Sequence, residues 1–303
     1  MNASFFTERA GELAALFTAI CWTFTSLSFE AAGKRVGSLS VNLIRLVIGF
    51  GLLSLTAGIT RGLPWPSDAT QHAWIWLAAS GIVGFVIGDL LLFRAFVVVG
   101  SRISMLMMSL VPPISTVLSW AILGENLTLF SFIGMFLTVT GVMLVVLDRQ
   151  PNTSSSPQFK HPIKGVLLAF GGALGQGLGL ILSKIGMENY NALAATQIRV
   201  LTGMIGFSIL FFILRRWNRV FAALQNPRAM ASITVGSIFG PFLGVTASLY
   251  AVQHTQVGVA STIMAIVPIL IIPPAILFFR EKVSLKETLG AVIAVGGVTI
   301  LFL

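Results

Sequence analysis

The chain alternates long apolar runs with short polar turns, and the length of the runs decides what kind of molecule it is. Apolar stretches fall at 11–32, 38–59, 72–98, 101–123, 128–147, 163–186, 191–214, 229–253, 257–279 and 285–303. A helix of about 20 apolar residues crosses the hydrocarbon core of a bilayer. Soluble cores do not supply such runs one after another, so the pattern predicts an all-α polytopic membrane protein with ten transmembrane helices. One connection stands apart. DRQPNTSSSPQFKHP, 148–162, is rich in Pro, Ser, Asn and Thr, lacks apolar periodicity and reads as a linker. It divides the chain into five spans and five spans, with units at 1–150 and 151–303.

The two units repeat each other. An offset of 156 residues brings Gly84 onto Gly240, Gly88 onto Gly244, Val111-Pro112 onto Val267-Pro268, Glu125 onto Glu281, Gly134 onto Gly290 and Gly141-Val142 onto Gly297-Val298. An offset of 154 brings Gly11 onto Gly165, Arg45 onto Arg199 and Gly49 onto Gly203. Apolar composition alone does not put glycines, prolines and a carboxylate in matching order. Tandem copies of a unit with an odd number of spans cross the membrane in opposite senses. That is an inverted repeat, a common build of secondary transporters, whose substrate site lies near the midplane between the halves.

The stretches SLVPPISTVLSWAILGENLT (109–128) and AIVPILIIPPAILFFREKVS (265–284) carry the same interruption. Proline removes a helix hydrogen bond and crowds the preceding turn. In lipid the freed carbonyls must face protein or a water-filled cavity. Aligned breaks at Pro112 and Pro268 therefore point to a central cavity, against the plainer reading of a packing kink. Glu125 and Glu281 read as punctuation of the following turns. Thr128 and Ser284 are placed as N-caps, and Ser284-Leu-Lys-Glu287 spells a capping box.

Composition agrees with the pattern. The chain is 56% hydrophobic and 10% charged, with a mean hydropathy of +0.94. The net charge of +9 does not point to nucleic acid, because the Lys and Arg sit in short loops with no basic tail or domain. Most of the 19 Lys and Arg fall in alternate loops, which places that side in the cytoplasm and both termini outside. The one cysteine, Cys21, excludes an intrachain disulfide and a thiolate metal site, and is expected to be a small buried residue. A cleaved signal peptide is not expected: the first run is long and its leader carries both Glu8 and Arg9.

Ionisable residues inside a membrane are functional candidates. Asp89, in GFVIGDLLLF near the middle of the third run, is the sharpest. It is suited to carrying a coupling proton, binding a cationic amine or neutralising an arginine. Arg94 is about 140° away round the same helix, so Arg45 or Arg199, from the second and seventh runs, are the better charge partners. Each of those two is expected to snorkel to its nearer interface. Neutral candidates for lining a cavity are Trp22, Ser109, Trp120, Gln176, Gln197 and Tyr250. Trp74, Trp76 and Trp217 read as interfacial belt.

Several segments resemble the EamA-type branch of the drug/metabolite transporter superfamily. AICWTF (19–24) is similar to the family's Trp-containing first span. VNLIRLVIG (41–49) and ATQIRVLTG (195–203) are similar to its Arg-bearing second and seventh spans. Residues 109–145 match its pattern of Pro, Leu-Gly-Glu and Gly. The second copy departs, with Phe279-Arg280-Glu281 at the turn. The resemblance covers nearly the whole chain. It implies export or exchange of small metabolites, often amino acids, with no cofactor, and it suggests termini inside, against the charge count.

The expectation is thus a secondary transporter of small organic metabolites in the cytoplasmic membrane, working by alternating access. Its expected partners are a small-molecule substrate and membrane lipid, without nucleic acid, and it is expected to act as a monomer. The alternative is a proton-coupled multidrug or cationic-amine exporter, weakened because Glu30 sits near the end of the first run and not in its middle. An intramembrane enzyme lacks a second carboxylate beside Asp89, and H-E-x-x-H and G-x-S-x-G are both missing. A channel would need a carbonyl filter or a ring of charges.

Overall fold

A computed structural model of the chain describes residues 9–123, 128–147, 162–254, 260, 263–279 and 283–301. Glu125, Glu281, the turns that carry them and residues 148–161 of the linker lie outside the described residues. Every regular element described is helical: α1 (Ala10–Val36), α2 (Ser38–Arg61), α3 (Gln71–Met108), α4 (Val111–Leu123), α5 (Leu129–Val146), α6 (Ile163–Met187), α7 (Ala192–Leu214), α8 (Trp217–Leu224), α9 (Pro227–His254), α10 (Val267–Leu270), α11 (Ile272–Phe279) and α12 (Leu285–Leu301). Seven of them (α1, α2, α3, α5, α6, α7 and α9) are long and apolar enough to cross a membrane. The fourth and ninth runs are carried by shorter or broken pieces, and the tenth by α12 as far as it is described. Large apolar side chains such as Leu55, Ile59, Phe136 and Phe212 stand exposed on the outer faces, as lipid-facing residues do.

The expected boundary between the third and fourth runs is a kink within α3. Gly100 has φ 84°, a conformation that only glycine adopts without strain. The helix restarts at Ser101, whose backbone N–H donates to Glu30 Oε2 at 2.6 Å. A carboxylate there satisfies an orphan donor at a helix N-terminus, so Glu30, buried and also paired with Lys34, holds the bend to α1.

The interruption at the prolines falls slightly earlier than the prolines themselves. Ser109 and Leu110 form the break, with tight bonds from Ser109 N to Leu106 O (3.1 Å) and from Leu110 N to Met107 O (3.0 Å). Pro112 and Pro113 then occupy the first turn of α4, where a missing N–H costs nothing. Pro268 takes the same place in α10, after the turn at Ala265–Ile266. The prolines start new helices; they do not kink old ones.

A further matched feature was not legible in advance. Both repeats contain π-helical turns, at Gly81–Gly88 in α3 and Ile238–Gly244 in α9. Each ends on a bond five residues back, from Asp89 N–H to Gly84 O and from Val245 N–H to Gly240 O. In the second copy Pro241 has no N–H to give to an ordinary turn. Such widened turns recur at functional sites.

The repeats interlock. α1 packs along α9, and its counterpart α6 packs along α3. α2 meets α7, and α5 meets α12. The principal neighbours of each repeat therefore come from the other. The α5–α12 seam is close because it is lined by small residues: Thr138 Oγ1 donates to Gly134 O at 2.8 Å and reaches Ala294 O at 3.4 Å, and a methyl at Gly141 would strike the backbone of Ala294. The expected caps are present: Ser131 N donates to Thr128 Oγ1 (3.2 Å), Glu287 N to Ser284 Oγ (3.2 Å) and Ser284 N to Glu287 Oε2 (3.1 Å). One element was missed. α8 lies in what reads as a loop; it buries Val220 and Ala223 and exposes Phe221 and Leu224, the pattern of an interfacial helix.

Candidate functional site

Between the interlocked repeats lies a partly open cavity of about 160 Å³. Its lining follows the repeat. Trp22 and Gln176 are counterparts and both line it, as do Arg45 and Arg199, Phe85 and Pro241, Asp89 and Val245, Ser109 and Ala265, and Pro112 and Pro268. The breaks and the π-helical turns thus converge on one place from opposite directions. Positions match between the halves of the lining; the chemistry matches at the arginines and prolines and differs at the other four pairs.

Asp89 is 4% exposed and is the acidic member of the described lining. It forms a buried salt bridge with Arg45, itself 3% exposed. Gln176 Nε2 donates to the other oxygen, Asp89 Oδ1, at 2.6 Å, and to Gly84 O at 3.1 Å. Gln176 reaches that far because α6 and α3 touch through glycine: a Cβ on Gly175 would lie 2.6 Å from the Cα of Gly88. Asn42, one turn before Arg45, ties the pair together. It accepts from Arg45 Nε at 3.1 Å and donates to the backbone oxygen of Asp89 at 3.2 Å. The guanidinium lies 4.5 Å from the ring centre of Phe93, and 5.6 Å from those of Phe29 and Phe85. This is a satisfied ion pair in an aromatic cage.

Arg199 is 4% exposed, and its guanidinium sits 4.8 Å from the ring centre of Phe85. Its Nε is buried with no hydrogen-bond partner. The counterpart of Asn42 is Thr196, whose hydroxyl donates to Ala192 O at 2.7 Å and has no amide oxygen to offer. The counterpart of Asp89 is Val245.

The expectation that both arginines snorkel to an interface is therefore corrected: each is buried at the cavity, held by aromatic rings and, for Arg45, by a carboxylate. Three neutral candidates lie elsewhere. Gln197 is two residues, or 200°, from Arg199 round α7; it faces away and donates to Ser54 Oγ (3.2 Å) and Pro64 O (2.9 Å). Tyr250 is likewise turned 200° from the lining residue Ser248, is 39% exposed and stacks on His254 at 3.9 Å. Trp120 is 54% exposed on the outer face of α4. Arg94 is exposed and does not reach Asp89. Asp89, Trp22, Gln176, Ser109, Arg45, Arg199, Pro112 and Pro268 are brought together. Reasoning from sequence missed Asn42, Ser26, Phe29, Phe85 and Phe93. For Asn42 a signal was available in its i, i+3 spacing to Arg45.

Polar clusters stand at the two ends of the bundle. At one, Arg102 Nη1 donates to Glu287 Oε2 at 2.7 Å, near the Glu30–Ser101 contact. At the other, Arg61 pairs with Asp68, and Tyr190 Oη donates to Asp68 at 2.8 Å. Burial pushes the Asp68 carboxyl up, but the hydrogen bond from Tyr190 and the Arg61 charge outweigh it and hold it below its ordinary value. Tyr190 is pushed up to about 12, by burial first and then by Asp68. Among the described residues no group of three or more His, Cys, Asp or Glu could hold a metal ion.

Comparison with known proteins agrees with this architecture. The family model described as "EamA-like transporter family" matches twice, over residues 9–147 and 163–303. The chain is 22% identical over 280 residues to "Uncharacterized transporter YetK" of Bacillus subtilis (strain 168), covering 90% of this chain and 83% of that one. It also shares its fold with a chain described as "Crystal structure of protein", at a TM-score of 0.64 and 16% identity over 96% of both chains. The protein is a multi-pass membrane protein of inverted five-helix repeats, and it belongs to the EamA-like transporter family within the drug/metabolite transporter superfamily.

Proposed function

We propose that the protein is a secondary transporter that exports or exchanges small organic metabolites, such as amino acids, across the cytoplasmic membrane by alternating access. Transport of small molecules follows from the family. The observation that carries the rest is the cavity lined by matching positions of two inverted repeats. A site built that way is offered to either side when one set of helices rocks against the other. The helix breaks at 109–110 and 265–266 lie beside it and supply places where backbone can bend.

The cationic-amine reading finds less support. Asp89 would have to meet the amine, and both its oxygens are already engaged by Arg45 and Gln176. The test is counterflow in proteoliposomes loaded with unlabelled amino acids, organic acids, nucleosides, sugars or quaternary amines. Saturable uptake of the labelled solute, accelerated by the same solute inside, is expected for amino acids or related metabolites. Uptake that rises linearly without saturation would indicate a channel. No accelerated uptake with any class would contradict the transporter reading.

A further inference from the structure

Arg45 and Arg199 occupy equivalent positions, and the surroundings of Arg45 serve as a template for what Arg199 lacks. Arg45 receives three things: a carboxylate from Asp89, an amide oxygen from Asn42 and aromatic rings. Arg199 keeps a ring and a share of the Asp89 charge, which Arg45 already engages, but no carboxylate or amide oxygen of its own. Thr196 and Val245 stand where Asn42 and Asp89 would be, and Nε is left buried without an acceptor. A guanidinium cannot shed its charge. Within the described lining two buried cations face one carboxylate, so the cavity carries an uncompensated positive charge in a low-dielectric place.

We infer that the missing partner of Arg199 is the substrate: the cavity takes a solute with a carboxylate, which binds the Arg199 guanidinium beside Val245, at the point equivalent to the Asp89 carboxylate on Arg45. A planar fork of N–H donors matches a carboxylate in two parallel bonds. Trp22, the counterpart of Gln176, lies against Gly244 as Gln176 lies against Gly88, so the bound carboxylate would have an indole where Asp89 has an amide. The charge-bearing group read by the site is thus the anion. A free ammonium group is tolerated on the substrate but not required. This rests on the transporter reading for its biological sense, though binding is tested separately from transport.

The experiment is a thermal-shift titration of the detergent-purified full chain with matched sets of probes: amino acids, the corresponding amides, the corresponding acids lacking the amino group, and the corresponding amines. Sodium chloride and sodium phosphate controls distinguish carboxylates from inorganic anions. A ligand that binds the folded state raises its apparent stability by mass action. Stabilisation is expected from acids and amino acids, and not from amides or amines. Arg199→Gln should weaken it at least tenfold, and Arg199→Lys should restore part of it. Val245→Asp supplies Arg199 with an internal carboxylate and should abolish binding while leaving the unprobed midpoint unchanged or higher, so misfolding cannot mimic the result.

Equal stabilisation by amides, by amines or by chloride would overturn the inference. So would carboxylate binding that survives Arg199→Gln, or a panel in which no carboxylate stabilises the wild type. Counterflow on the same preparations separates the two readings: carboxylate binding without counterflow sinks transport and leaves the anion site standing, whereas counterflow of amides untouched by Arg199→Gln does the reverse.

Discussion

The two halves of the molecule set an arginine at the same point of the same helix, and treat it in opposite ways. In the first half Arg45 is closed into a network with Asp89, Asn42 and Gln176. In the second half Arg199 faces the cavity with Nε unsatisfied. A π-helical turn stands beside the arginine on both sides, so that turn does not make the difference. It lies in a few side chains: Val245 for Asp89, Thr196 for Asn42, Trp22 for Gln176. An inverted repeat fixes where groups can be; substitution of one copy decides which of those places is closed and which is left available.

Breaking the closed half should have the largest effect. Asp89→Leu leaves Arg45 buried without its counter-ion, and losing one member of a buried pair costs about 3–5 kcal/mol. Adding Arg45→Met to it should recover most of that loss, measured by chemical or thermal unfolding in detergent, because an apolar pair needs no counter-ion. Gln176→Leu removes a donor to a charged oxygen and should cost about 1.5–3 kcal/mol in the same assay. If it costs nothing, Asp89 does not depend on the second repeat.

The next prediction concerns a seam where the halves are alike. Gly141→Leu and Gly297→Leu each force α5 and α12 apart, at about 1–3 kcal/mol each for overpacking. Their losses should be similar, and a clear inequality would show that the symmetry of that seam is only apparent.

The smallest effect belongs to the bundle end. Asp68→Asn removes an ion pair whose carboxylate side chain is 40% exposed, so its loss should be under about 1 kcal/mol. Because Asp68 is held below its ordinary value, its contribution is present at neutral pH. It fades as pH falls through that lowered value. The gap between variant and wild type should close in acid; a gap that persists there would mean that Asp68 acts through packing.

Much of this was legible in the sequence, and the reason is physical. Apolar run length and the requirement to satisfy the backbone in lipid leave few options, so the spans, their repeat and the caps at Thr128 and Ser284 followed directly. The break at 109–110 was read one turn late, because proline marks where a helix restarts as readily as where it ends. The candidate cavity was legible only in part. Asp89, Gln176 and Trp22 converge as polar or aromatic residues amid glycine and apolar neighbours. Gln197 and Tyr250 do not, because a two-residue step turns a helical side chain through 200°. The burial of the two arginines was missed because the rings that receive them come from α1 and α3, far away in sequence. The π-helical turns left only a weak trace, Pro241 in one copy.

The most direct test of the division between the halves is to unfold Arg45→Gln and Arg199→Gln side by side in the absence of ligand. The first strands Asp89 in the interior and should lose about 3–5 kcal/mol. The second removes a buried cation that has no acceptor, and its stability should equal or exceed that of the wild type. Equal losses in both variants would contradict the account, for Arg199 would then be held as firmly within the protein as Arg45.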